Sequence, residues 1–94
     1  MTAHKELRLL PWAGPDGKPC YLSTEDPDGY MSRLADNIEA TQLGMASELL
    51  EDALKELDDK TADLEKLRFL TAQLAGSLRD VLRVAVSRKG CQDA

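Results

Sequence analysis

The sequence predicts an all-α protein: an antiparallel helical hairpin, preceded by a short β-hairpin or loop segment, that pairs with a second copy to form a helical bundle. Three observations carry this. An apolar repeat of alternating three- and four-residue steps runs through Leu43, Leu50, Leu57, Leu64, Thr71, Leu78 and Ala85, with Ala46, Ala53, Leu67, Leu74 and Val81 between them and Lys60 as its one charged member. Such spacing lays one stripe along a helix. All four prolines (Pro11, Pro15, Pro19 and Pro27) fall before this repeat, so the first part of the chain cannot be a long helix. Finally, a 94-residue chain whose aromatics are Trp12, Tyr21, Tyr30 and Phe69 must build its core from leucine, alanine, valine and methionine. Chains this short bury a small fraction of their surface alone, so association into a dimer is expected.

Residues 1–25 form the first unit. Gly14-Pro15-Asp16-Gly17-Lys18 is a turn: proline presets φ, aspartate bonds its own backbone, and glycine accepts the left-handed position. With Leu9, Leu10 and Trp12 before it and Cys20, Tyr21 and Leu22 after it, the product is a short hairpin.

Residues 26–90 form the second unit, the helical hairpin. Its first helix is expected to start near Asp26, which would cap it, with Pro27 at the first helical position and Asp28 in the first turn. The early stripe of Met31, Leu34, Ile38 and Met45 is out of phase with Leu43, Ala46 and Leu50, which predicts a register shift or a close helix approach around Gly44. The second helix runs from Leu64 to about Arg88, with Gly90 as its stop and residues 91–94 as a tail.

A single helix from Asp28 to Arg88, pairing as a long coiled coil, is the alternative. Leu49, Leu54, Leu70, Ala75, Leu82 and Val84 then fall where a two-stranded coil prefers charges, and so broad an apolar face suits a bundle better. The stretch from Leu57 to Asp63 also reads as a turn, because aspartate suits the start of a helix and not its end. Charge agrees. Residues 24–65 hold thirteen acids and three bases, whereas residues 66–90 hold six bases and one acid. Folding near Lys60 sets Asp28, Asp36 and Glu39 beside Arg79, Arg83 and Arg88, although each exposed pair contributes only about 0.2–1 kcal/mol. Leu50, Leu57, Leu67, Leu74 and Leu78 are the expected core and oligomer seam.

Candidate partner-binding residues are few. Phe69 stands opposite the seam among Ala62, Ala72 and Gly76, either covered by Trp12 or Tyr21 of the hairpin or open to a partner. Arg79, Arg83, Arg88 and Lys89 cluster at the end of the second helix, the feature that would touch DNA or a DNA-binding regulator. A net charge of −5, with a sequence pI near 4.7, argues against nucleic acid.

No catalytic constellation is present. The carboxylates occupy polar helix positions, the serines have no neighbouring histidine, and no phosphate-binding glycine loop occurs. His4, the lone imidazole, lies near the terminus, and Cys20 and Cys91 are too few for a tetrahedral zinc site. No cofactor or metal is expected. The absence of a long apolar run or a basic, apolar leader leads to the expectation of a cytoplasmic protein that neither spans nor binds a membrane.

The run Leu10-Pro11-Trp12-Ala13-Gly14-Pro15-Asp16-Gly17-Lys18-Pro19-Cys20-Tyr21-Leu22, with Tyr30-Met31-Ser32-Arg33-Leu34-Ala35-Asp36, Leu67-Arg68-Phe69-Leu70 and Leu78-Arg79-Asp80-Val81-Leu82-Arg83-Val84-Ala85, resembles a group of small uncharacterised acidic helical proteins of Streptomyces and related actinobacteria. The resemblance covers most of the chain and implies a short acidic helical protein. It brings no activity, ligand or site residue. The sequence therefore reads as a non-enzymatic homodimer acting as an adaptor or regulator on a protein partner it does not identify.

Overall fold

The computed structural model describes residues 6–24 and 29–92. Two strands, β1 (Glu6–Ala13) and β2 (Pro19–Thr24), precede two helices of 29 residues each, α1 (Tyr30–Asp58) and α2 (Leu64–Gln92). At 1.5 Å per residue each helix is about 43 Å long, and the molecule is an elongated body of 64 × 25 × 22 Å.

The strands pair antiparallel, Arg8 opposite Leu22 and Leu9 opposite Tyr21, with an irregularity before Ala13 meets Pro19. The expected turn closes them. The Gly17 N–H donates to the Gly14 carbonyl at 3.0 Å and the Gly14 N–H to the Lys18 carbonyl at 2.8 Å. Gly17 sits at φ +74°, a conformation that a Cβ disfavours.

α1 starts later than the sequence suggested. Gly29 occupies the N-cap in an extended conformation with no side-chain cap, and no acidic residue lies in the first turn. Asp26, Pro27 and Asp28 lie outside the described residues. Nor does the helix change register at Gly44, where a Cβ would meet nothing within 4 Å. One regular helix carries both stripes, with Met31, Leu34, Ile38 and Met45 along one flank, Leu43 and Leu50 along the other, and Ala46 between them.

The chain reverses between Asp58 and Leu64, which excludes the continuous coil. Asp59 Oδ1 accepts from the Thr61 N–H at 2.9 Å and from Thr61 Oγ1 at 2.6 Å, and Asp63 Oδ1 accepts from the Lys66 N–H at 2.8 Å. The Asp63 bond is an N-cap, satisfying a donor that the first turn of α2 leaves unpaired. α2 then continues through Gly90 to Gln92, so the expected stop at Gly90 is not there and the helix takes in the first two residues of the expected tail. A helical glycine costs only about 1 kcal/mol relative to alanine and does not by itself end a helix.

The helices run antiparallel, Lys66 meeting Glu56 at 2.9 Å near the turn and Arg88 lying 4.0 Å from Glu39 near the other end. Every buried residue among those described lies at that other, open end, where β1 packs against both helices. They are Leu10, Pro11, Ser32, Ala35, Glu39, Val84 and Ser87. From Ala40 to Arg83 no residue is buried, although the stretch contains eleven leucines. The hairpin is therefore an arm projecting from a small core.

Candidate interaction surface

The seam inside the arm differs from the leucine repeat. On α1 the inward positions are Ala35, Glu39, Gln42, Ala46, Leu49, Ala53 and Glu56; on α2 they are Leu70, Leu74, Ser77, Val81 and Val84, all buried or half-buried. The three–four spacing is as expected, and Ala46, Ala53, Leu74 and Val81 of the expected repeat are among these residues, but Leu43, Leu50 and Leu57 are not. Of the five leucines expected in the core, only Leu74 lies between the helices of a single chain. Leu50 is 56% exposed and Leu57 79%, with Leu67 and Leu78 exposed as well. The reason is geometric: Leu43, Leu50 and Leu57 each follow an inward residue (Gln42, Leu49, Glu56), and one step turns the helix by about 100°.

That step creates two unlike flanks. In an antiparallel pair, residues following the inward positions share one side and residues preceding them share the other. The following side carries Leu43, Ser47, Leu50, Leu54 and Leu57 on α1, and Thr71, Ala75, Leu78 and Leu82 on α2, with Arg68 as the charged residue near the turn. The preceding side is acidic. Gln42, Met45, Glu48, Leu49 and Asp52 face Gln73, Gly76, Ser77 and Asp80 across a groove of about 400 Å³.

Phe69 is 66% exposed near the turn and is not covered by its own hairpin. The hairpin packs instead against Arg79, Leu82, Arg83 and Val86, more than two turns further along α2. Tyr21 is exposed and Trp12 half-buried, and neither reaches Phe69. The separation follows from the antiparallel path, which carries the hairpin to the open end of the arm.

The basic residues of α2 are only partly paired as expected. Arg88 approaches Glu39, whereas Arg83 turns to Asp80 on its own helix at 3.5 Å and to the Pro11 carbonyl at 3.4 Å. Arg79 borders the cleft between the β-hairpin and α2. Asp36 is taken by Arg8 and not by α2, and Asp28 lies outside the described residues. The arginines are thus dispersed around the open end and do not form one basic face.

Arg8 is the residue that sequence reasoning missed. Its Nη2 lies 2.7 Å from Asp36 Oδ1 and 3.3 Å from Glu39 Oε1, and its Nη1 donates to the Ser32 carbonyl at 3.1 Å. Burial opposes its charge, but the Asp36 hydrogen bond and the Glu39 and Asp36 carboxylates outweigh this and raise its pKa. Gln42 adds a second tie, donating to the Pro11 carbonyl at 2.9 Å. Near the turn, the hydrogen bond to Glu56 raises the Lys66 pKa, and the Thr61 hydrogen bonds lower that of Asp59.

Among the described residues there is no group of three or more potential metal ligands, and no helix is long and apolar enough to cross a membrane. What this geometry offers is surface: an uncovered leucine flank, an acid-lined groove and an exposed phenylalanine. Compared with known proteins, the chain matches no family model, no curated protein and no solved structure.

Proposed function

We propose that this chain is a non-enzymatic, homodimeric helical adaptor or regulatory protein that works through protein–protein contacts. One observation carries the reading: the arm from Ala40 to Arg83 holds eleven leucines and buries none of them. Apolar patches of several hundred Å² are uncommon on monomeric proteins and mark contact surfaces. A two-helix arm with half-covered leucines also gains much of its stability from a further helical layer.

The acidic groove and Phe69 lie away from the leucine flank, so self-association on that flank leaves them available to a different protein. An adaptor requires such a division. Melting followed by circular dichroism tests the dimeric part of the reading. Because association stabilises by mass action, the melting temperature should rise with protein concentration. A melting temperature unchanged over about a hundredfold dilution would contradict it.

A further inference from the structure

We infer that the turn half of the arm is covered by a second copy whose arm runs in the same direction, turn beside turn, so that α1 of each chain lies on α2 of the other. This rests on the dimeric reading above and specifies how the two chains pair.

Symmetry leaves two ways to lay the leucine flank on its own copy. A two-fold axis across the arms opposes them and stacks α1 on α1 and α2 on α2. An axis along the arms keeps them in step and stacks α1 on α2.

Charge separates the two. α1 carries seven acids and two bases, a net of −5, and α2 two acids and six bases, a net of +4. The contrast persists at the flank itself. Between Leu43 and Asp58 its exposed charged border on α1 is Glu51 and Asp58, a net of −2. Between Leu64 and Arg79 the border on α2 is Glu65, Arg68 and Arg79, a net of +1. Opposed arms would set like against like along both edges, whereas arms in step set each α1 edge against an α2 edge of opposite sign. Neither the β-hairpin nor the turn reverses this. Glu6 and Asp16 cancel Arg8 and Lys18 in residues 6–24, and residues 59–63 hold Asp59, Lys60 and Asp63, a net of −1.

Arg68 gives the register. It is exposed, and among the described residues it forms no ion pair in its own chain. Lys66 lies level with Glu56, 2.9 Å away, so Arg68 is level with Leu54. An axis along the arm preserves that level in the second copy. The Arg68 of each chain then falls between Glu51 and Asp58 of the other, about 5 Å along the helix from each.

The β-hairpin limits the contact. Leu9, Ala13 and Pro19 border Leu82, so the interface runs from the turn to the level of Leu43 and Leu78. That is about 25 Å of two helices about 20 Å wide, on the order of 500 Å² per copy. Together the copies bury about 1,000 Å², the lower bound for a specific interface. Leu50, Leu54, Leu57, Leu64 and Leu78, all exposed in the single chain, lie within it.

Cysteine placement tests the pairing in a background with Cys20→Ser and Cys91→Ser. Ser47 and the partner's Ala75 are level on facing helices, so mixing Ser47→Cys protein with Ala75→Cys protein should give a mixed disulfide on mild oxidation. Ser47→Cys chains that cross-link with each other would overturn the pairing, as would a mixture that gives no mixed product. Spin labels on Thr61→Cys should lie within about 25 Å, the spacing for turns packed side by side. Labels about 40 Å apart, the separation when each turn is some 13 residues from a central axis, would overturn the orientation. Leu50→Glu should yield a monomer that retains helical circular dichroism, and a variant that stays dimeric would overturn the face. Each of these failures leaves the dimeric reading standing, whereas a monomeric wild-type chain would overturn both.

Discussion

Arg8 of the first strand reaches Glu39 of α1 at 3.3 Å across 31 residues of sequence, and Glu39 is only 2% exposed. This pair joins the β-hairpin to the helices at the one place where the described residues form a core. Glu39 Oε2 and Arg8 Nε are buried without a hydrogen-bond partner among the described residues, so the pair holds the hairpin in position more than it stabilises the fold.

Removing one partner should therefore be more damaging than removing both. Arg8→Ala leaves the Glu39 carboxylate buried with only the distant Arg88, and should lower stability by about 3 kcal/mol in urea denaturation. Arg8→Met combined with Glu39→Leu should recover most of that loss, since apolar replacements of buried ion pairs are often neutral. Equal losses in the single and double variants would contradict this.

Two glycines should respond in opposite directions. Gly17→Ala places a Cβ at φ +74° and should destabilise the protein by about 1 kcal/mol. At Gly44 a Cβ meets open space within a helix, so Gly44→Ala should stabilise by about 0.5–1 kcal/mol. Thermal melts of the two variants read both signs, and a loss at Gly44 would show that its outer face is occupied.

The turn carries an acid-sensitive contact. The Asp59 pKa is lowered by the Thr61 hydrogen bonds, so its contribution is present above the ordinary carboxylate range and is lost as pH falls through the lowered folded value. Asp59→Ala should make stability less dependent on pH on the acid side and change it little at low pH. Superimposable acid limbs for the variant and wild type would show that the contact is energetically silent.

Local features of this fold were legible and remote ones were not. The Gly14–Lys18 turn and the Asp63 cap depend on hydrogen bonds within five residues, so the sequence that makes them also displays them. The helix reversal was visible in Asp58, Asp59 and Asp63 for the same reason. Part of the expected repeat does line the seam, in Ala46, Ala53, Leu74 and Val81, but on α1 its leucines stand one step away, where Gln42, Leu49 and Glu56 are the residues turned inward. Leu43, Leu50 and Leu57 display the right period on the wrong side of the helix. Arg8 gave no signal at all, since a single arginine in a strand acquires its role only when Asp36 and Glu39 are brought to it. The same limit applies to Phe69, whose exposure follows from where the hairpin docks, which no local pattern records.

The central claim is that the arm's leucine flank is covered by a second chain, and the mass in solution tests it most directly. Light scattering on the wild-type protein at micromolar concentration should give about twice the 10.3 kDa chain mass. A mass of one chain, with the helical content intact, would contradict the account.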